Sequence, residues 1–184
     1  NRAEWTVAYF DIYRKNILTQ TSLTTAQNVG RQTSKGIELS GAIRATDAWR
    51  LQGNVTVLSA RFADFSESAG SSVTSRGGNR PPNVPEVMAN LWSVYRVPCV
   101  VPFDLGAAFR YVGHRYAENA NVVRLNAYTT VDAWISVPYK NLMVTLRGRN
   151  LLDKTYAIWA DPFYPSQVLI GAPRTVELMM TARF

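Results

Sequence analysis

The sequence predicts an all-β protein, a sheet of antiparallel strands that meets lipid on one face and water on the other. Three observations predict it. Apolar and polar residues alternate at period two in eight successive segments, which sends them to opposite faces of a strand. The connections between the segments alternate strictly, long then short. Aromatic residues recur at the short-turn ends with the parity of the apolar face.

The first segment covers residues 4–16. The second, 36–45, sets Ile37, Leu39, Gly41 and Ile43 against Glu38, Ser40 and Arg44. The third, 49–65, sets Trp49, Leu51, Val55 and Val57 against Gln52, Asn54 and Thr56. The fourth, 85–96, sets Val87, Ala89, Leu91, Ser93 and Tyr95 against Asn90 and Trp92. The fifth, 101–112, sets Phe103, Leu105, Ala107, Phe109 and Tyr111 against Asp104 and Arg110. The sixth, 127–137, sets Val131, Ala133, Ile135 and Val137 against Thr130, Asp132 and Ser136. The seventh, 141–149, sets Leu142, Val144 and Leu146 against Thr145, Arg147 and Arg149. The eighth ends the chain: Val176, Leu178, Met180, Ala182 and Phe184 alternate with Glu177, Thr181 and Arg183, and only Met179 breaks the pattern. No segment carries a stripe at the helical period.

A soluble sandwich and a membrane barrel both satisfy this alternation; they differ in which solvent meets the greasy face. Connection lengths separate them. Residues 46–48, 97–100 and 138–140 make short turns, whereas 17–35, 66–84, 113–126 and 151–170 are long. All long loops then leave one end of the strands and all short turns the other, the asymmetry of an outer-membrane barrel with short periplasmic turns and longer extracellular loops. Trp49, Tyr95, Tyr139 and Phe184 fall at the short-turn ends with outward parity, as an interfacial girdle would.

Bulk properties agree. The 184 residues are 47% hydrophobic, enough for one domain, and no apolar run approaches the roughly 20 residues of a membrane helix. The chain opens directly on an alternating segment with no signal-peptide pattern, so it reads as starting within a longer protein or after a removed signal. A formal charge of +7 would fit nucleic acid, but the arginines are dispersed along strands rather than gathered in a run, so no nucleic-acid partner is expected. The single Cys99 cannot close an internal disulfide.

Short motifs narrow the reading. Asn150-Leu151-Leu152-Asp153-Lys154-Thr155-Tyr156 resembles the Asn-Leu-Phe-Asp-Lys-x-Tyr signature late in TonB-dependent receptors, with Leu152 where Phe is usual. Ala8-Tyr9-Phe10-Asp11-Ile12, Ser34-Lys35-Gly36-Ile37-Glu38-Leu39, the Pro-rich stretch 78–85, Tyr111-Val112-Gly113-His114-Arg115-Tyr116 and Tyr128-Thr129-Thr130-Val131-Asp132-Ala133 resemble further segments of that family in the same order. The likeness covers nearly the whole chain and is nearest in texture to the ferric-siderophore branch. It implies a transmembrane antiparallel β-barrel segment in the outer membrane of a Gram-negative bacterium, about the last eight of 22 strands. Residues 1–184 would then be the C-terminal part of the barrel, without the family's plug domain and TonB box. It also implies active transport of a ferric siderophore, with TonB engaged through the N-terminal region and iron carried by the ligand, so no cofactor belongs to the protein. Other readings are a complete eight-stranded passive or structural membrane barrel, and a soluble ligand-binding barrel.

Candidate residues follow. Tyr116, Trp159, Phe163 and Tyr164 lie in long loops, where flat rings could stack on a chelate or simply pack loop against loop. Arg110, Arg147 and Arg149 face inward, where they could attract an anionic chelate or pair with carboxylates such as Asp104 and Asp132. Asn150–Tyr156 reads chiefly as a turn, because Asn and Asp bond their own backbone. Phe184 with Met180 and Leu178 resembles the signal read by the barrel-assembly machinery. One histidine, His114, and no Cys/His cluster exclude a histidine-based metal site. With no Gly-x-Ser-x-Gly element and no Gly-rich phosphate loop, the chain is not expected to be an enzyme.

Overall fold

The computed structural model describes residues 2–20, 22–69 and 71–183. In chain order the strands are β1 Ala3–Gln20, β2 Ala26–Arg44, β3 Trp49–Asp64, β4 Ser66–Ala69, β5 Ser72–Ser75, β6 Val87–Val97 and β7 Phe103–Val112. They continue with β8 Arg115–Tyr116, β9 Arg124–Leu125, β10 Tyr128–Tyr139, β11 Leu142–Arg149, β12 Ala157–Ala160, β13 Val168–Ile170 and β14 Thr175–Ala182. Eight of them form one antiparallel sheet in the order β1-β2-β3-β6-β7-β10-β11-β14. Among the described residues β1 and β14 are its edges and do not pair with each other. The remaining strands make three small hairpins, β4-β5, β8-β9 and β12-β13, one in each long connection.

Register carries the apolar face across the whole sheet. Residues directly opposite on neighbouring antiparallel strands point to the same side. One row runs Trp49↔Tyr95↔Leu105↔Ile135↔Leu146↔Leu178, and another links Leu39↔Val55↔Ala89↔Tyr111. Val144 faces Met180, and Ile37 faces Val57. The outward set expected from parity therefore shares one face. Its members stay bare: Leu178 is 63% exposed and Met180 68%. Among the described residues no second layer covers them, so this face is the one that burial in lipid stabilises. Trp49 and Tyr95, opposite each other, and Tyr139 close the short-turn end of that face, as the girdle requires. Phe184 lies outside the described residues.

The opposite face is polar and ion-paired. Arg96 meets Asp104 at 3.2 Å, Arg147 meets Asp132 at 2.8 Å and Arg149 meets Glu177 at 3.2 Å. Charges in this density belong to a water-facing surface. Small residues make room for large ones on it. The ring of Trp134 lies over Gly106, where any Cβ would fall inside the indole.

One expectation needs correction, and with it the alternation built on it. Residues 17–35 are not a long loop: β1 and β2 run on past the apolar band, and only 21–25 connect them. Strict long–short alternation therefore fails at this first hairpin, although it leaves the same end as the long connections. The extension was hidden because residues 26–35 are polar on both faces, as a ribbon standing clear of the membrane should be, so period two had no greasy face to count. The other three connections are long as expected, and each folds back as a hairpin. Among the described residues the only packed apolar cluster sits there, where Ala117, Leu125 and Ala160 are buried against Ala157 and Val168.

Candidate functional site

The three structured connections lock together above the polar face. The one after β3 and the one after β7 are joined by asparagine amides. Asn121 accepts the Arg80 N–H at 2.8 Å and donates to the Arg80 carbonyl at 2.9 Å. Asn79 donates to the Asn119 carbonyl, and Asn119 donates to Glu67. Arg80 and Arg61 both hold Glu86, at 2.7 and 2.9 Å. The connection after β11 is then fastened to both. Asn83 accepts the Ala160 N–H at 2.9 Å and donates to its carbonyl at 2.8 Å. Arg115, 2% exposed, donates from Nη2 to the carbonyls of Ala157 and Ile158. Its guanidinium lies 5.7 Å from the Tyr128 ring centroid, and its Nη1 is buried with no partner. Burial pulls the Arg115 pKa below its ordinary value, yet arginine stays charged.

The turn Asn150–Asp153 is structural in build. Asn150 is buried in the left-handed region (φ 48°), donates to the Lys154 and Ala172 carbonyls and accepts the Lys154 N–H. Asp153, also left-handed, accepts the Arg174 N–H. Tyr156 stacks on Tyr128 at 4.2 Å and covers Gly171.

Beneath this turn the polar face opens into a concavity of about 380 Å³. Arg110, Arg147 and Arg149 line it with Asp132, Trp92, Asn150, Tyr156 and Ile158. Asp132 is spoken for: one oxygen takes Arg147 and the other the Asn150 N–H at 3.0 Å. Arg149 is held by Glu177. Arg110 alone of the three arginines has no ion-pair or hydrogen-bond partner among the described residues. The arrangement offers one free guanidinium, two tethered ones and an aromatic and an aliphatic wall. Such a cavity suits an oxygen-rich or anionic ligand with flat apolar parts. No group of His, Cys, Asp or Glu among the described residues is placed to hold a metal ion.

The other candidates are distributed. Trp159 sits on β12 opposite Leu169, partly exposed and not lining the concavity. Phe163 and Tyr164 crown the following turn, 84% and 63% exposed, where Asp161 accepts both of their N–H groups. Tyr116 lies apart, its ring edge-on to His114 and 5.5 Å from the Arg80 guanidinium. Met180 and Leu178 belong to the lipid-facing row. Sequence reasoning did not single out Trp92 or Ile158. Trp92 carried a signal, an aromatic on the polar parity; Ile158 carried none.

Comparison with known proteins gives this arrangement relatives. The family described as TonB dependent receptor-like, beta-barrel matches residues 1–151. The chain is 28% identical over 155 residues to the ferrioxamine receptor of Yersinia enterocolitica, covering 80% of this chain and 20% of the receptor. It is 30% identical over 161 residues to the probable TonB-dependent siderophore receptor PiuA of Acinetobacter baumannii, covering 85% and 21%. The crystal structure of that PiuA superposes with a TM-score of 0.84 at 27% identity, over 98% of this chain and 26% of that one. The ferric-catecholate import receptor Fiu from E. coli K12, in its closed form, superposes with a TM-score of 0.77 at 26% identity, over 100% and 25%. The chain spans about a fifth of the length of these curated relatives.

Proposed function

Because this chain belongs to the TonB-dependent receptor β-barrel family, an outer-membrane family, we propose that it forms barrel wall and cell-surface loops of a receptor that imports a ferric siderophore, energised through TonB. Residues 1–184 would be the C-terminal barrel region, and the plug and TonB contacts would lie in other parts of the receptor. The iron travels in the ligand, and the chain does no covalent chemistry of its own. The observation that carries the reading is the arginine-lined concavity at the loop end of the water-facing side, with Arg110 unpaired in it. A ferric chelate presents carbonyl, carboxylate or catecholate oxygens around its metal, which a free guanidinium can meet with directed hydrogen bonds. Trp159, Phe163 and Tyr164, raised on the hairpin above, would make the first contact, and Tyr116 would support the loops beside them. Ferrioxamine and catecholate receptors both stand among the relatives, so both chelate classes enter the test.

The test is uptake of labelled ferric hydroxamate and ferric catecholate chelates by cells making the full-length receptor at matched surface levels. Arg110→Ala should lower affinity for the transported chelate by about 1–3 kcal/mol if its charged hydrogen bonds are desolvated on binding. The pair Trp159→Ala with Tyr164→Ala should lower it as well. Unchanged uptake in both variants would remove this assignment of the site.

A further inference from the structure

Beyond the residues that line the concavity, the structure assigns Arg115 and Asn83 as positioning residues, which hold β12 as its roof from two other connections. The assignment rests on the reading of the concavity as the chelate site. The geometry is specific. Among the described residues strand β12 has only the short β13 as a strand partner, and a two-stranded ribbon of this length is not stable alone. What completes it is side-chain chemistry from elsewhere. Asn83, 77 positions away in sequence, pairs with both backbone groups of Ala160, as a neighbouring strand would. Arg115 takes the two successive carbonyls of Ala157 and Ile158 in one guanidinium nitrogen. Ile158 is the residue of β12 that lines the concavity, so both clamps grip the main chain immediately around it.

Neither clamp is a surface contact. Arg115 is buried with its guanidinium over the Tyr128 ring, and Tyr128 is stacked in turn on Tyr156, which also lines the concavity. Asn83 adopts a left-handed conformation (φ 61°) that turns its amide toward Ala160, and its own N–H is held by the Tyr116 carbonyl at 2.8 Å. Its neighbourhood is therefore tied to β8, the strand that carries Arg115. Loss of the Asn83 clamp would take a partner from both backbone groups of the buried Ala160, which costs more than the bonds contribute, and loss of the Arg115 clamp would free the carbonyls of Ala157 and Ile158. The roof would swing away from Arg110 and Arg147, and a preformed site would become one that the ligand must order at its own expense.

The test uses the full-length receptor in lipid vesicles. Asn83→Gly removes the amide and keeps the left-handed backbone unstrained. Arg115→Met removes the donors and keeps the stem, and Arg115→Lys restores one charged donor. Hydrogen exchange should speed up at the Trp159 and Ala160 amides in the first two variants and stay slow in the β10–β11 wall. Affinity for whichever of a ferric trihydroxamate or ferric tricatecholate probe binds the unmodified receptor should fall about ten-fold, the factor that about 1.4 kcal/mol gives, with Arg115→Lys between. Unchanged exchange in β12, or equal loss of protection in the wall, would overturn the positioning role. So would faster exchange in β12 with undiminished affinity. If neither probe binds the unmodified receptor, the chelate reading and with it the positioning role for that site both fail. The exchange data then decide separately whether the two residues clamp β12 at all.

Discussion

Single side chains in the loops stand in for missing strands, and Asn150 is one of them. Its amide makes three hydrogen bonds while its backbone sits at φ 48°. Each bond lost from this buried side chain costs about 1 kcal/mol and a left-handed alanine adds about 1–2. Asn150→Ala should therefore lower unfolding stability by about 4–5 kcal/mol, and Asn150→Gly by less; urea midpoints of the folded receptor in vesicles measure both. His114 supplies a different residue-scale test. Desolvation, then Arg124 and Arg80, pull its pKa below the ordinary histidine value, and Glu86 opposes them. The folded loop thus favours neutral imidazole. Above about pH 6.5 the ring is neutral in folded and opened states alike; as pH falls through that value the opened state takes the proton first. Acidification should loosen residues 113–116, seen as protection factors that drop between about pH 7.5 and pH 5.5 in the parent and hold level in His114→Gln. A parent profile as flat as the variant's would sink the idea.

At the scale of elements, strand β11 allows the lipid face to be tested by depth. Leu146 lies in mid-row between Ile135 and Leu178, whereas Tyr139 ends β10 beside the Lys140-Asn141 turn. Leu146→Arg should cost about 2–4 kcal/mol and Tyr139→Arg about 0–1, the depth profile of arginine on the outside of a membrane barrel. Equal costs, measured by reversible unfolding in vesicles, would place both at one depth. The same strands show why some elements were readable beforehand. All eight wall strands announced themselves because each has one mainly apolar side, and β3, β7 and β11 end within two residues of expectation. The upper halves of β1 and β2 did not, since water on both faces removes the periodic signal. Hairpins β4-β5, β8-β9 and β12-β13 are too short for any period to register. The concavity was half visible: Arg110, Arg147 and Arg149 follow from parity, but Ile158 and the clamps Asn83 and Arg115 depend on contacts between distant loops, for which a linear pattern has no counterpart.

At the scale of the molecule, the usual arrangement of burial is inverted. Among the described residues the broad apolar surface is a wall with no protein behind it, and the packed interior is a small cluster among the loops. Such a wall must be delivered to lipid before it meets another wall. We propose that Phe184, with Met180 and Leu178 on the outward row, is what the barrel-assembly machinery reads; deleting Phe184 from the full-length protein should lower its level in the outer membrane, judged by quantitative blotting of membrane fractions. Undiminished insertion would end that proposal. The loop latch has a consequence of another kind, in time rather than space. Asn83, Asn121 and Asn150 each aim an amide N–H₂ at a carbonyl. Exchange of that nitrogen for oxygen, the slow chemical ageing of asparagine, would set a carboxylate against each carbonyl and release the segment it holds. The ageing begins when the next backbone nitrogen attacks the side-chain amide, and a bulky following residue hinders the attack. Val84, Val122 and Leu151 occupy those three positions, so the surface of the protein carries its own protection against going stale.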